Sequence, residues 1–223
     1  SELTDAASSK SAIVLMTLVL AACALRAHAA EPLPQVAVTT CGQIVPKRTF
    51  GYLTGDLDCA GYNGGDPVIL YDTDAAITLG NKAKLDLRGF TLTASRWGVQ
   101  CSNIRAEGRR HLGCEVFNGT VVGAGQSGIF AANAYIHDVT TTGNWIGLYV
   151  AGRNSRIENA IVTDNSDDGI QFGKGKMMGL TVSNNGGNGI SGSKINIADS
   201  TVTGNATGDF CTTHTGRCFD LNS

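Results

Sequence analysis

The sequence contains few prolines and almost no net charge. There are 4 prolines and 29 glycines among 223 residues, a composition that suits a chain with many tight corners rather than long helices. The formal net charge is −2, from 17 basic and 19 acidic residues. The sequence therefore lacks the excess of positive charge that is typical of proteins that bind nucleic acids. Functional residues must therefore be sought in local clusters.

The sequence also lacks an apolar run long enough to span a membrane. The main apolar run, residues 12–25, has fourteen residues, whereas a membrane-spanning helix needs about 20. This run follows Lys10 and precedes Ala27-His28-Ala29, the order of features in a secretory signal peptide with a small-residue cleavage site. We therefore predict a signal peptide over residues 1–29 and a secreted or periplasmic mature protein without a membrane span.

A lipid anchor is the alternative for this segment. Leu20-Ala21-Ala22-Cys23 resembles a bacterial lipobox, in which the cysteine becomes the lipidated first residue. We favour ordinary cleavage after Ala29, because the charged, apolar and small-residue regions all follow the secretory pattern.

A phrase of four residues returns every twenty residues. Val162-Thr163-Asp164-Asn165 is followed by Val182-Ser183-Asn184-Asn185 and by Val202-Thr203-Gly204-Asn205. The first two copies precede a glycine and a large apolar residue, Gly169-Ile170 and Gly189-Ile190. A fixed period of about 20 residues predicts a solenoid whose coils stack on their neighbours.

Within each coil, apolar and polar residues alternate with a period of two, which predicts strands rather than helices. Inward positions should form aliphatic columns with a spacing of about 4.8 Å between coils. One predicted column contains Val121, Thr141, Val162, Val182 and Val202, and a second contains Ile129, Leu148, Ile170, Ile190 and Phe210. One corner position repeats an amide that we expect to bond from coil to coil, in Asn144, Asn165, Asn185 and Asn205.

These repeats resemble those of a known family. Corner asparagines followed by Gly-Ile pairs occur beside residues 85–92, LDLRGFTL, and 116–121, VFNGTV. In this respect the chain is similar to the right-handed parallel β-helix repeat family, the pectate-lyase-like superfamily, of the secreted bacterial type. The resemblance implies an all-β, right-handed solenoid of about 6–7 coils over residues 65–223, with a disulfide-clamped cap over residues 30–64. Because this fold hosts lyases, hydrolases, epimerases and adhesins, it does not by itself define a function.

Six cysteines remain beyond the predicted signal peptide, and fifteen pairings are possible. A metal site is disfavoured, because there is no Cys-x-x-Cys and because His111 and His214 lack the spacing of a zinc pair. Since distant coils of a solenoid do not meet, we predict local disulfides, each worth about 2–4 kcal/mol. The predicted pairs are Cys41 with Cys59, Cys101 with Cys114, and Cys211 with Cys218.

The repeat also predicts which outward side chains become neighbours. Counting back from the corner places Tyr135 beside Arg156 and Lys176, and it places His137 beside Glu158. A lysine or arginine beside a uronate carboxylate makes the C5 proton more acidic, and a tyrosine or histidine can move that proton. We therefore predict these five residues as the catalytic group of a polysaccharide lyase or C5-epimerase. Alternatively, they only pair across exposed strands.

Two further surfaces are candidate sites. Asp164, Asp167 and Asp168 lie near one corner and could hold a calcium ion or supply the acid and base of an inverting glycosidase, although the same composition is ordinary in turns. A strip of outward residues offers rings on which sugar rings stack, or rings that only pack under loops. The predicted carbohydrate-binding strip comprises Phe130, Trp145, Tyr149 and Gln171.

These features together predict an exported β-helix protein that binds or processes an extracellular, acidic polysaccharide. If the protein is an enzyme, the predicted reaction is β-elimination or C5 epimerisation. The alternative is a non-catalytic carbohydrate-binding, adhesive or structural protein, because long loops that build deep clefts are few in this sequence. Neither function requires a cofactor, and calcium is the ion for which the sequence offers candidate ligands.

Overall fold

The computed structural model describes residues 31–63, 74–101, 113–212 and 217–219, with only the backbone described at position 194 and from position 211 onward. The predicted signal peptide, with Cys23, lies outside these residues. Regular structure in the described ranges consists of β-strands, and no helix there could cross a membrane. The twenty strands are β1 (Gln35–Val38), β2 (Gln43–Val45), β3 (Phe50–Leu53), β4 (Leu57–Cys59), β5 (Ala75–Leu79), β6 (Lys84–Asp86), β7 (Thr91–Ala94), β8 (Trp97–Cys101), β9 (Glu115–Val122), β10 (Ser127–Ala132), β11 (Tyr135–Thr142), β12 (Ile146–Ala151), β13 (Ser155–Glu158), β14 (Ile161–Thr163), β15 (Ile170–Met178), β16 (Thr181–Ser183), β17 (Asn188–Ala198), β18 (Thr201–Thr203), β19 (Gly208–Thr212) and β20 (Arg217–Phe219).

Strand pairing follows three ladders, here called A, B and C, each built of parallel strands in register. Ladder A joins β2, β5, β8, β10, β12, the first halves of β15 and β17, and β19. Ladder B joins β1, β3, β6, the first halves of β9 and β11, β13, and the second halves of β15 and β17. Ladder C joins β4, β7, the second halves of β9 and β11, β14, β16 and β18.

The chain passes from ladder B to C to A and then returns to B one coil further on. Arg156, for example, pairs with Lys176, which pairs with Asn196. The strands therefore wrap into a nearly closed solenoid, which is compatible with a parallel β-helix. β1–β4, inside the segment predicted as a cap, already pair in register with the strands that follow. At the other end, β20 returns antiparallel onto β19.

The interior of the solenoid consists of the expected aliphatic columns. The column of Val121, Thr141, Val162, Val182 and Val202 is paired in register, and none of its members is more than 1% exposed. In the second column, the side chains from β10, β12, β15 and β17 are equally buried. Burial of such aliphatic side chains contributes about 1.5–3 kcal/mol each, so the columns hold consecutive coils together.

The corner asparagines form a hydrogen-bonded row beside these columns. The Nδ2 of Asn144 donates to Oδ1 of Asn165 at 3.0 Å, that of Asn165 to Asn185 at 2.9 Å, and that of Asn185 to Asn205 at 2.8 Å. All four amides also donate to a main-chain carbonyl of the preceding coil. Asp209 ends the row by accepting from Asn205 at 3.0 Å. The row therefore satisfies polar groups that the corners would otherwise bury without partners.

Glycines beside the asparagine row allow the coils to approach each other. A Cβ on Gly169 would lie 2.7 Å from Nδ2 of Asn185 and 2.7 Å from the carbonyl oxygen of Gly189. The repeated Gly-apolar pair is thus a requirement of the asparagine row. Other corners use a left-handed backbone, which Asn, Asp and Gly adopt most easily, at Asp138, Asn159, Asp164 and Asn184, with φ between 49° and 55°.

Two of the predicted disulfides are confirmed. Cys41 is bonded to Cys59 across a Cα–Cα distance of 5.6 Å, and Cys101 is bonded to Cys114 across 6.1 Å. For the third pair, the backbone places Cys211 opposite Cys218 in the antiparallel pairing of β19 with β20. The side chains at these two positions lie outside the described part of the chain, so this disulfide stays a prediction.

Candidate functional site

The outward residues of ladder B form two columns, and this surface is here called the B face. The first column contains Phe50, Lys84, Glu115, Tyr135, Arg156, Lys176 and Asn196. The second contains Tyr52, Asp86, Phe117, His137, Glu158, Met178 and Ala198. Alternate residues of a strand point to the same face, so all five candidate catalytic residues lie on the B face, three in the first column and two in the second.

Glu158 is the centre of a hydrogen-bonded cluster on the B face. The residue is largely buried, with 8% of its surface exposed. The hydroxyl of Tyr135 donates to Oε2 at 2.7 Å, and Nε of Arg156 donates to Oε1 at 2.6 Å. A second guanidinium nitrogen of Arg156 also contacts Oε1. Both carboxylate oxygens are thus engaged by groups that point to the same surface.

The cluster has opposite effects on the pKa values of its two acids. The hydrogen bond from Tyr135, assisted by Arg156, lowers the pKa of Glu158. The same hydrogen bond, with burial and the charge of Glu158, raises the pKa of Tyr135. At neutral pH the pair therefore consists of a neutral phenol and an ionised carboxylate. Tyr135 is therefore not a free phenolate, and its hydroxyl donates to the Glu158 carboxylate.

His137 is held between two rings and two carboxylates. Its ring stacks on Phe117 with centroids 4.9 Å apart and on Tyr135 with centroids 4.3 Å apart. Its Nδ1 lies 2.6 Å from Oδ2 of Asp138, and its Nε2 lies 3.3 Å from Oε1 of Glu115. The bond to His137 is the main reason that the pKa of Asp138 is lowered. Because both ring nitrogens contact carboxylates, His137 is placed to orient the Tyr135 ring.

Two adjoining depressions follow the border between the B face and the corner that precedes it. One, of about 930 Å³, is lined by residues of β13, β15 and β17, and the other, of about 1260 Å³, by residues around β6, β9 and β11. They share Arg153, Asn154 and Arg156. Together they form one surface groove, here called the trough, which crosses successive coils along the stacking direction.

Positive charge predominates in the trough, although the whole chain has a net charge of −2. Six cationic side chains and two carboxylates line it. The carboxylates are already paired, Glu115 with Lys84 at 2.6 Å and Glu158 with Arg156. The other four cations are exposed and form no ion pair within the described residues: Lys82, Arg153, Lys174 and Lys176. These four side chains are available to an anionic ligand.

Asp168, one of the three predicted calcium ligands, has a structural role. Its carboxylate is buried, and Oδ1 accepts hydrogen bonds from the main-chain N–H and from Nδ2 of Asn188, at 2.8 and 2.9 Å. Its Oδ2 accepts from Nε2 of Gln171 at 3.0 Å and from Oγ of Ser191 at 2.9 Å. The carboxylate therefore joins its own coil to the next one.

The structure does not support the predicted calcium site at Asp164, Asp167 and Asp168. Within the residues that the structure describes, no group of three or more His, Cys, Asp or Glu side chains is arranged to hold a metal ion. The oxygens of Asp168 are used by its neighbours, and Oδ2 of Asp164 accepts from Thr163. Burial, together with the neighbouring Asp168, raises the pKa of Asp167. The corner stabilises the stack and is not organised around an ion.

The predicted carbohydrate-binding strip lies on ladder A and consists mainly of rings that pack on each other. Phe130 and Tyr149 stack with centroids 5.0 Å apart, and Trp97 contacts Phe130 at 4.7 Å. Both rings of the stacked pair are half-buried, whereas Trp145 is 43% exposed. Gln171 is engaged with Asp168. Trp145 is therefore the ring of this strip that is open to a ligand.

Sequence reasoning missed the residues that extend the cluster into a trough. Lys84 and Glu115 belong to the same column as Tyr135, but the chain between Cys101 and Cys114 lengthens that coil beyond twenty residues, so the repeat could not be counted through it. Arg153 and Lys174 flank β13 and Lys176, and exposed basic residues at those positions were a signal that could have been used.

The chain matches no protein-family model, no curated protein and no solved structure. No relative therefore supplies a substrate or a residue role, and the functional interpretation depends on the geometry of the B face and the trough.

Proposed function

We propose that this protein is an exported carbohydrate-binding protein whose trough holds an acidic polysaccharide. The observation that carries the proposal is the charge of the trough lining, which contains six cationic side chains and only two carboxylates. A linear polyanion laid along the trough would meet a new coil about every 4.8 Å. We further propose that the coil is right-handed and of the pectate-lyase-like type, and that residues 1–29 are a signal peptide.

Three features favour a polysaccharide over other polyanions. The ring of Tyr135 lines the trough with its centroid 5.3 Å from Cζ of Arg156, and sugar rings stack on aromatic surfaces. The chain as a whole is slightly acidic, which does not favour nucleic acid. The two disulfides fit an oxidising, extracytoplasmic location.

The B face also offers one route to catalysis, which we place second. A uronate bound by Lys176 would carry a more acidic C5 proton. Tyr135 could take that proton while its own phenolic proton moves to Oε2 of Glu158, 2.7 Å away. The C5 electron pair would then either form a C4=C5 double bond while the C4–O4 bond breaks and water protonates the leaving oxygen, which is β-elimination, or take a proton from water on the opposite face of C5, which is epimerisation. Binding is favoured because Arg156 is already bound to Glu158 and is less available to neutralise a substrate carboxylate.

Binding is tested by titrating the protein with polygalacturonate, alginate and the neutral polymer dextran. We expect affinity for the two acidic polymers only, reduced about tenfold in the Lys174→Ala/Lys176→Ala variant if each contact is worth under 1 kcal/mol. The matched control, Lys47→Ala/Arg48→Ala, removes the same charge from an exposed site outside the trough. Equal weakening in both variants would show a non-specific charge effect and contradict the proposal.

Catalysis is tested separately, by following the ultraviolet absorbance of unsaturated uronate products. Turnover that is lost in Tyr135→Phe, His137→Ala and Arg156→Ala would establish the lyase activity on the B face. Because C5 epimerisation forms no unsaturated product, it is followed by proton NMR of the uronate composition, and binding without either reaction would leave a binding protein. If Tyr149→Ala instead abolishes glycan retention, the binding surface is the strip on ladder A and not the trough.

A further inference from the structure

From β7 onward, the outward residues of ladder C form an array that is separate from the trough, and this surface is here called the C face. The strand before it, β4, presents the exposed Asp58 beside Thr93. Its first column contains Thr91, Thr120, Thr140, Ile161, Thr181 and Thr201. Its second column contains Thr93, Val122, Thr142, Thr163, Ser183 and Thr203. Nine of these twelve residues are threonines, and none carries a charge or an aromatic ring.

The hydroxyl groups of the C face are available to the outside. Thr163 donates to Asp164 and lies 3.4 Å from the hydroxyl of Ser183. The other eight threonine hydroxyls form no hydrogen bond within the described part of the chain. All twelve positions are exposed or half-exposed. Threonine is favoured in strands in general, but the two outward columns of ladder B contain no threonine, so strand propensity alone does not account for the composition of the C face.

The array is also rigid. Threonine is branched at Cβ, so its χ1 angle is restricted. Directly beneath the two columns lies the buried column of Val121, Thr141, Val162, Val182 and Val202, and the asparagine row fixes the corner that follows. The restricted χ1 angles and the packed column beneath therefore limit the positions that the hydroxyl and methyl groups of the C face can take.

The general spacings of a parallel β-sheet, which the C face shares, are close to two spacings of an ice lattice. Strands repeat at about 4.8 Å, and alternate residues of one strand at about 6.7 Å. In a tetrahedral water network with O–H···O distances of about 2.75 Å, second neighbours lie at about 4.5 Å and the hexagonal axis repeats at about 7.3 Å. Each spacing agrees to within about a tenth with its counterpart.

We propose that the C face binds ice. A periodic and uncharged surface that extends over two columns and six strands favours a ligand that is itself periodic in two dimensions, which an ice lattice is and a single polysaccharide chain is not. The C face lacks the aromatic rings on which sugars stack and the Trp, Tyr and Arg anchors of protein interfaces. Hydroxyls bond the first layer of water oxygens, and the methyl groups between them order the water that joins this layer to the crystal.

The test is partition of the full-length protein into slowly grown ice, with thermal hysteresis as a second reading. We expect enrichment in ice for the wild-type protein, loss of that enrichment in Thr181→Lys, and retention in Thr207→Lys, an exposed threonine outside the array. Ile161 is 47% exposed and interrupts the first column, so Ile161→Thr should increase both readings.

Melting temperatures of the variants show whether each is folded. The proposal is overturned if the folded wild-type protein partitions into ice no better than folded Thr181→Lys, or if Thr207→Lys loses as much enrichment. A gain in Ile161→Thr cannot be produced by unfolding of that variant, because an unfolded chain would lose both readings. Polysaccharide binding by the trough is unaffected by any of these outcomes.

Discussion

Thr141 is the polar member of an otherwise aliphatic column, between Val121 and Val162. Its side chain is 0% exposed, and its hydroxyl has no hydrogen-bond partner within the described residues. A buried hydroxyl without a partner costs about 1–3 kcal/mol, and valine has nearly the same shape. We therefore expect Thr141→Val to raise the free energy of unfolding by about 1 kcal/mol, measured by urea denaturation.

The control for this substitution lies one residue away. Thr142 is half-exposed on the same strand, so its hydroxyl is solvated and Thr142→Val should leave the unfolding midpoint nearly unchanged. A loss of stability in Thr141→Val, or equal effects of the two substitutions, would mean that the buried hydroxyl is satisfied and would contradict the interpretation.

The pair of Tyr135 and Glu158 gives a pH-dependent contribution to stability. Since the pKa of Glu158 is lowered in the folded state, its contribution is present above the unfolded value of about 4.3 and is lost as the pH falls through the lowered pKa. Since the pKa of Tyr135 is raised, its contribution is present below the unfolded value of about 10 and is lost as the pH rises through the raised pKa.

Tyr135→Phe removes this hydrogen bond and tests the pH dependence. We expect the difference in unfolding free energy between wild type and Tyr135→Phe to be largest from about pH 5 to 9 and to shrink outside that range. Chemical denaturation at a series of pH values measures it. Tyr149→Phe is the matched control, because Tyr149 is a half-buried tyrosine of ladder A away from Glu158. A difference that did not change with pH would contradict the argument.

At the scale of elements, the glycine beside the asparagine row controls how closely two coils approach. A Cβ on Gly169 would lie 2.7 Å from both Asn185 and the Gly189 carbonyl, so Gly169→Ala must push these coils apart or break the row. We expect a loss of about 1–3 kcal/mol in thermal or urea unfolding. Gly55→Ala is the control, because a Cβ there meets nothing within 4 Å. Because Gly→Ala at an open site should be neutral or slightly stabilising, similar losses in both variants would show that the close approach of Gly169 to the next coil is not the cause.

The periodic part of this fold is predictable from sequence because the repeat itself encodes contact. Val162 and Val182 are twenty residues apart and pair in the structure, and the same count places Arg156 beside Lys176. Contacts that do not follow the repeat could not be predicted. The bonds of Asp168 to Ser191 and Asn188 depend on side-chain rotamers. The trough depends on Lys84 and Glu115, which lie beyond the irregular coil.

At the scale of the whole molecule, stability should be distributed coil by coil. Each strand of the three ladders pairs only with its neighbours in the stack, and a solenoid of this kind behaves as a row of units joined by nearest-neighbour interfaces. A change at one end should therefore loosen the nearest coils and leave distant ones protected. This differs from a small globular domain that unfolds cooperatively, in which one destabilising substitution lowers the free energy of global unfolding.

The disulfide between Cys41 and Cys59 provides the test of this behaviour. It closes a loop with a sequence separation of 18 residues, for which chain entropy gives about 3 kcal/mol. In the Cys41→Ser/Cys59→Ser variant, we expect the free energy of amide hydrogen exchange to fall by about 3 kcal/mol in β1–β4 and to stay unchanged in β12–β17. The Cys101→Ser/Cys114→Ser variant should instead lose protection around β8 and β9, because its disulfide lies further along the stack. A uniform loss of protection along the chain in either variant would show that the coils unfold as one cooperative unit.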